Sequence, residues 1–294
     1  MTWAIVPCLL FLNACGSAPD DAGKQADRPA PNPLVFEISS ADGEVEGWML
    51  GTIHALPDGV EWRTSATTRV IDEADLLLVE VADLADSEGI AKVFAQLSTS
   101  PDLPDLLGRV SPDKRTALAK LVDKSRFSVS DFRSIETWAA ALMLAQVRAQ
   151  GDPANGVDRA VIVDFDGRDI RELEGAMAQL SIFDELPLAD QRDLLEGVVA
   201  ETQLQEDQSG RLRQAWLTGD EQALEEATTT GIMADKELRD ALLIDRNKDW
   251  TEQIVDVLDA EDKPLVAVGA AHLVGEDGLP AMLRARGYKV DRAN

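Results

Sequence analysis

Two apolar runs near opposite ends of the chain reach the same short step, and they constrain the fold more than anything else in it. "VEGWMLGTI" leads through Gly51 to His54, and "PLVAVGAA" leads through Gly269 to His272. Each reads as a strand that stops at the glycine of Gly-x-x-His. These two histidines are all that the 294 residues contain. The surroundings are also shared: strand, Gly-x-x-His, an Asp-Gly pair, helix, strand. Strands so far apart make a worthwhile sheet only by pairing with each other. The expectation is therefore a mixed α/β fold, with a central sheet built from N- and C-terminal strands and a largely helical middle.

Local signals fill in this outline. "LVFEISS" and "VEGWMLGTI" read as strands joined through Asp42-Gly43, a hairpin signal. "TSATTRVIDEA" reads as a helix with Thr64 as its cap. "DLLLVEV", residues 75–81, is a short apolar strand with Glu80 near its end. "SIETWAAALMLAQVRAQG" predicts one buried helix from a Ser134 cap to a Gly151 stop. "RDIRELEG" predicts a strand that delivers Glu172 and Glu174 on one face. "KELRDALLIDRNKDWTEQIVDVLDA" predicts a long helix.

The N-terminus has a different character. "MTWAIVPCLLFLNACGS" resembles a bacterial lipoprotein signal, with a leader over 1–14 removed and Cys15 acylated. Residues 15–33, rich in Pro, Ala and Asp, read as a disordered tether, and 34–294 as one α/β domain. Cys8 and Cys15 are the whole cysteine complement, so the body has no disulfide. No acidic residue directly follows Cys15. The expectation is a lipid anchor on the periplasmic side of the cell envelope, at the outer membrane. With 28 basic and 54 acidic side chains the formal net charge is −26, which argues against a nucleic-acid partner.

Glycine at a strand end allows a sharp turn or close backbone approach, so each histidine can project from the sheet edge. Two such imidazoles would make half of a metal site. A carboxylate would complete it, from Glu80, Glu174, Glu172 or the more distant Asp158. Each histidine reads equally well as a polar residue bonded within a turn. His-Glu-x-x-His, paired-cysteine and phosphate-loop spacings are absent.

Taken together, these stretches resemble the TraB/GumN family, which is related to the Tiki proteases. The resemblance runs over 34–292 through "WMLGTIHALP", "LLLVE", "GVD" at 156–158, "ELEGAMAQLSIFDELPLADQ", "RN" at 246–247 and "VGAAHLVGEDGLPAMLRARGYKVDR". It implies a divalent-metal-dependent hydrolase, with His54, His272 and Glu80 as metal ligands and Glu80, Glu174 and Arg246 as catalytic residues. Asp158, Gln179 and Asn247 match other recurrent polar positions. Gln179 would cap or orient Glu174, Arg246 would stabilise substrate charge or pair with a glutamate, and Asn247 could lie on a helix surface. The implied ion is manganese, cobalt or zinc, and the implied substrate a peptide or protein. Two rivals stand beside this reading: a metal-free His/Glu hydrolase of the esterase kind, and a non-catalytic envelope protein that binds a peptide or signal ligand.

Overall fold

The structure, a computed structural model, describes residues 30–202, 207–260 and 262–293. The expected leader, Cys15 and the tether up to residue 29 lie outside the described residues. The last tether residues are bonded to the body. Asn32 N–H donates to Leu217 O at 2.7 Å, and Asn32 O accepts from Arg292 Nη2 at 3.3 Å. Among the described residues no helix is long and apolar enough to cross a membrane.

β1 (Val35–Ser39) and β2 (Val45–Thr52) form the expected antiparallel hairpin, with Gly43 at φ 88° in its turn. β3 (Leu76–Val79), β4 (Asp169–Glu172), β5 (Pro264–Gly269) and β6 (Lys289–Arg292) complete a six-stranded sheet in the order β4-β3-β5-β2-β1-β6. The C-terminal strand β5 sits between β2 and β3 and is parallel to both, with Ala267 level with Leu50 and Val79. β4 is parallel to β3, while β6 runs antiparallel to β1 on the other flank. This is the expected mixed α/β sheet from both ends of the chain. The strands β2, β5, β3 and β4 therefore finish at one edge, the edge where α/β sheets place their sites.

The central strands β3 and β5 are apolar because both faces are covered. All four residues of β3 are buried, as are Leu265, Val266, Ala267 and Val268 of β5. The helical middle has its own apolar cluster around Phe94, Phe132, Trp138, Phe183 and Leu195. At its centre Trp138 meets Phe94 edge-on at 5.5 Å, stacks on Phe183 at 6.1 Å and donates its Nε1–H to Asp184 at 3.2 Å.

Four local expectations change. The helix expected from Ser134 to Gly151 spans Thr137–Ala145 and then tightens into a 3₁₀ turn, Gln146–Arg148. Its expected first turn is used elsewhere: Ser134 O accepts from Ser100 N–H, and Glu136 N–H donates to Ser98 O. β2 does not stop at Gly51 but runs on to Thr52. The glycine matters there for space, since a Cβ would lie 3.1 Å from Ala270 Cβ and 3.2 Å from Leu34 Cβ. The strand over "RDIRELEG" ends at Glu172, so Glu172 and Glu174 do not share a strand face.

The long helix near the C-terminus is interrupted by a π-helical turn. Residues Lys236–Arg239 are α-helical, Asp240–Ile244 are π-helical and Asp245–Asp259 are α-helical again. Leu238 and Leu242 pack in the helical cluster, whereas Trp250, Ile254 and Leu258 pack under the sheet. Thr64 caps the helix Ser65–Glu73 as expected, its side chain accepting from Thr67 N–H.

Trp138 is fully buried. Trp138→Ala should cost about 3–5 kcal/mol, the range for a buried aromatic truncated to alanine. Urea denaturation followed by the remaining tryptophans measures it, and a loss below about 1 kcal/mol would mean that the helical core tolerates the hole by collapse.

Candidate functional site

Four of the expected residues arrive just past the carboxyl ends of four parallel strands. His54 follows β2, Glu80 follows β3, Glu174 follows β4 and His272 follows β5, in a 3₁₀ turn over Ala270–Leu273. The helix Asp245–Asp259 brings Arg246 and Asn247 to the same edge, both buried.

Arg246 is the hub. Its Nε donates to Glu174 Oε1 at 2.7 Å. Its Nη2 donates to Glu174 Oε2 at 3.0 Å and to Glu80 Oε2 at 2.8 Å. Its Nη1 donates to Leu242 O at 3.1 Å and faces His272 Nε2 at 3.3 Å. A guanidinium has five N–H donors, and here all five are engaged within the protein. The guanidinium carbon lies 4.5 Å from the centre of the Trp250 ring. Of the two roles expected for Arg246, the pairing with a glutamate is present, with two glutamates at once.

Glu80 is tightly held as well. Oε1 accepts from Gly269 N–H at 2.8 Å, and Oε2 accepts from Gln179 Nε2 at 3.1 Å besides Arg246. Gln179 thus orients Glu80, not Glu174. Burial favours the neutral acid, but Arg246, the two histidines and the Gly269 N–H outweigh it and lower the Glu80 pKa to about 2. Glu174 is raised instead, by burial and by the nearby Glu80, despite its two bonds to Arg246. Glu172 takes no part: its carboxylate accepts from Ala82 N–H at 2.9 Å.

The two histidines share a motif and differ in state. His54 Nδ1 meets Asp158 Oδ2 at 2.7 Å, and its side chain is 30% exposed. Burial works against the charged ring, but Asp158 and then Glu80 prevail and raise its pKa to about 9. His272 is buried, its ring 4.5 Å from that of Trp250. Its Nδ1 meets Asn247 Oδ1 at 2.6 Å. Burial and the neighbouring Arg246 cation lower its pKa to about 3. At neutral pH His54 is an imidazolium and His272 a neutral ring.

Asp158, the more distant candidate, is thus a direct partner of a histidine. Gly156 explains how it gets there. A Cβ on Gly156 would lie 2.5 Å from His54 O and 2.6 Å from Asp158 Oδ1, so any side chain would push the pair apart. Val157 N–H donates to Ile53 O at 2.9 Å, which fastens the start of the helix Val157–Asp164 to the His54 turn. The "GVD" step holds this signal, but it is legible only once its partner segment is known.

A divalent ion meets a mixed donor set. Both imidazoles have Nδ1 tied to an outer oxygen, which is how metal-binding histidines are oriented, with Nε2 as the donor. Glu80 does not fit as the third ligand in this arrangement, because both its oxygens accept hydrogen bonds and Arg246 faces His272 Nε2. Among the described residues no group of three His, Cys, Asp or Glu is arranged to hold a metal.

Arg246→Met should separate charge from packing. In the wild type the Glu80 pKa lies below its ordinary value, so its contribution is complete above the ordinary carboxylate range and fades as pH falls toward 2. Without the guanidinium, burial raises both carboxyls, and the penalty is relieved as they protonate. The variant should lose about 3–5 kcal/mol at pH 7 and less at pH 4.5, measured by urea denaturation. An equal loss at both pH values would assign the effect to packing.

The model of the TraB/PrgY/gumN family matches residues 34–292. The chain is 27% identical over 251 residues to the uncharacterized protein YbaP of Shigella flexneri, covering 82% of this chain and 89% of that one. It is 27% identical over 245 residues to the uncharacterized protein YbaP of Escherichia coli K12, covering 80% and 87%. No solved structure gives a significant match. Across almost the whole described body, from β1 to β6, this chain belongs to the TraB/PrgY/gumN family.

Proposed function

We propose that the chain is a hydrolase that cleaves an amide bond in a peptide or protein, with His54 moving the proton. The observation that carries this reading is the His54–Asp158 pair, at 2.7 Å, beside a carboxylate group neutralised by Arg246. Asp158 orients the ring through Nδ1. Nε2 has no protein partner among the described residues and is the atom left to act. In its neutral form His54 takes a proton from water, and as imidazolium it returns the proton to the leaving amine. Glu80 lies close enough to raise the His54 pKa and helps to orient the water. Arg246, Gln179 and the Gly269 N–H hold Glu80 in place.

The resting imidazolium must lose its proton before it can act as a base. Turnover should therefore rise about tenfold per pH unit toward about 9 and then level. Asp158→Asn removes the charge that raises this pKa, so the rise should move to lower pH while the maximal rate falls. A peptide-cleavage pH profile of both proteins checks this. A profile indifferent to Asp158→Asn would remove His54 from the reaction.

A second reading, favoured by the two bonded Nδ1 atoms, gives the pair a divalent ion: manganese, cobalt or zinc. His54 and His272 would hold it through Nε2, which requires Arg246 to give up His272 Nε2, and Glu80 would join them only if Arg246 also released its carboxylate. When bound, such an ion lowers the pKa of a coordinated water and polarises the scissile carbonyl. Binding must displace the His54 proton, so metal affinity should rise about tenfold per pH unit toward about 9. Elemental analysis after metal loading and desalting, in the wild type and His54→Ala, tests this. Stoichiometric metal lost in the variant, with turnover abolished by chelator, selects the ion. Turnover indifferent to chelator selects the metal-free reading, and bound peptide without turnover selects a binding protein.

The place of action follows the N-terminal reading. We propose a lipid anchor at Cys15 that holds the enzyme at the periplasmic side of the cell envelope, at the outer membrane, with no nucleic-acid partner.

A further inference from the structure

We propose that Asn247 is a positioning residue that fixes His272 as its Nδ1–H tautomer and, through that ring, holds one arm of Arg246. The inference deepens the hydrolase reading, and rests on it only for its bearing on the reaction. The hydrogen-bonded chain through Asn247 and His272 has two ends whose roles are unambiguous. Asp277 O is a backbone carbonyl and can only accept, so the atom of Asn247 that lies 2.7 Å from it is the amide nitrogen. Asn247 Oδ1 is then the atom facing His272 Nδ1 at 2.6 Å. An amide oxygen can only accept, so Nδ1 carries the hydrogen.

The other end gives the same answer. A guanidinium can only donate, so His272 Nε2, 3.3 Å from Arg246 Nη1, must present its lone pair. Both ends require one tautomer. The surroundings leave little room for another arrangement. Asn247 is wholly buried, Trp250 packs against the ring, and Thr251 Oγ1 donates to Asn247 O at 2.6 Å. Asp277 is itself anchored, its Oδ2 accepting from Arg239 Nη2 at 2.5 Å. If the ring carried its hydrogen on Nε2, two donors would face each other and the Nη1 arm would lose that partner. Asn247 is thus placed to act on Glu80 and Glu174 without touching either.

The contrast with His54 shows what the amide does. Asp158 offers a carboxylate oxygen to Nδ1 where Asn247 offers an amide oxygen. A carboxylate orients the ring and attracts a second proton; an amide orients it without charge.

The test is a long-range ¹H–¹⁵N correlation spectrum of the imidazoles in the full chain. With two histidines there are four ring nitrogens to assign, and His54→Gln identifies which belong to His272. The wild type should show His272 with a protonated Nδ1 and a lone-pair Nε2. Asn247→Leu, similar in size but with no acceptor, should lose this single-tautomer pattern and shift the Arg246 Nε–H signal. Lys248→Ala, an exposed change on the same helix, should leave both unchanged. A wild-type His272 protonated at Nε2, or an Asn247→Leu variant that keeps the wild-type pattern, would overturn the inference. If Asn247→Leu does not fold, the wild-type spectrum decides alone. These spectra need no substrate, so the hydrolase reading and this one fail separately.

Discussion

The geometry of the site depends on one guanidinium. Arg246 joins a helix near the C-terminus to residues that close three different strands: Glu80 after β3, Glu174 after β4 and His272 after β5. Burying two carboxylates at one sheet edge would push both toward the neutral acid. The arginine lets Glu80 stay charged in a place where water cannot solvate it. Its five donors are all engaged within the protein, which fixes the side chain at the strand ends in this arrangement. Burial and this cation lower the His272 pKa to about 3, whereas at His54 the Asp158 carboxylate overcomes burial and the more weakly acting cation and raises the pKa to about 9.

Much of the sheet was legible in advance because its signals are local or nearly so. The β1–β2 hairpin, the Thr64 cap and the apolar run of β3 each declare themselves within about ten residues. That β5 lies beside β2 follows from the need of distant strands for partners. The boundary of the helix at Thr137 was not legible. Residues 134–136 are drawn off by backbone pairing with 98–100, a tertiary effect that no capping pattern contains.

The site divides in the same way. His54, His272, Glu80 and Glu174 could be named because they sit just after strand ends, and the strand ends were readable. Their partners could not be ranked. Asp158 reaches His54 across 104 positions, and Arg246 reaches Glu80 across 166. Gln179 serves Glu80 instead of the sequence-near Glu174, and Asn247 is interior where a helix-surface position was an open reading. Two histidines in matching sequence settings acquire different charge states because one meets the Asp158 carboxylate and the other is buried beside the Arg246 cation. Nothing in Gly-x-x-His encodes that difference.

The π-helical turn at Asp240–Ile244 has a consequence for how the two halves of the molecule are indexed to each other. A π turn holds one more residue than an α turn, and each residue of an α-helix advances the face by about 100°. Upstream of it, Leu238 and Leu242 face the helical cluster; downstream, Trp250, Ile254 and Leu258 face the sheet. The extra residue offsets the drift of residues spaced by four and keeps the stripe that meets the helical cluster in line with the one that meets the sheet. Loss of a single residue there would leave both hydrophobic stripes chemically intact and yet swing Arg246 and Asn247 out of alignment with the strand ends. Within this helix, chain length over five residues governs the site as strictly as side-chain identity does.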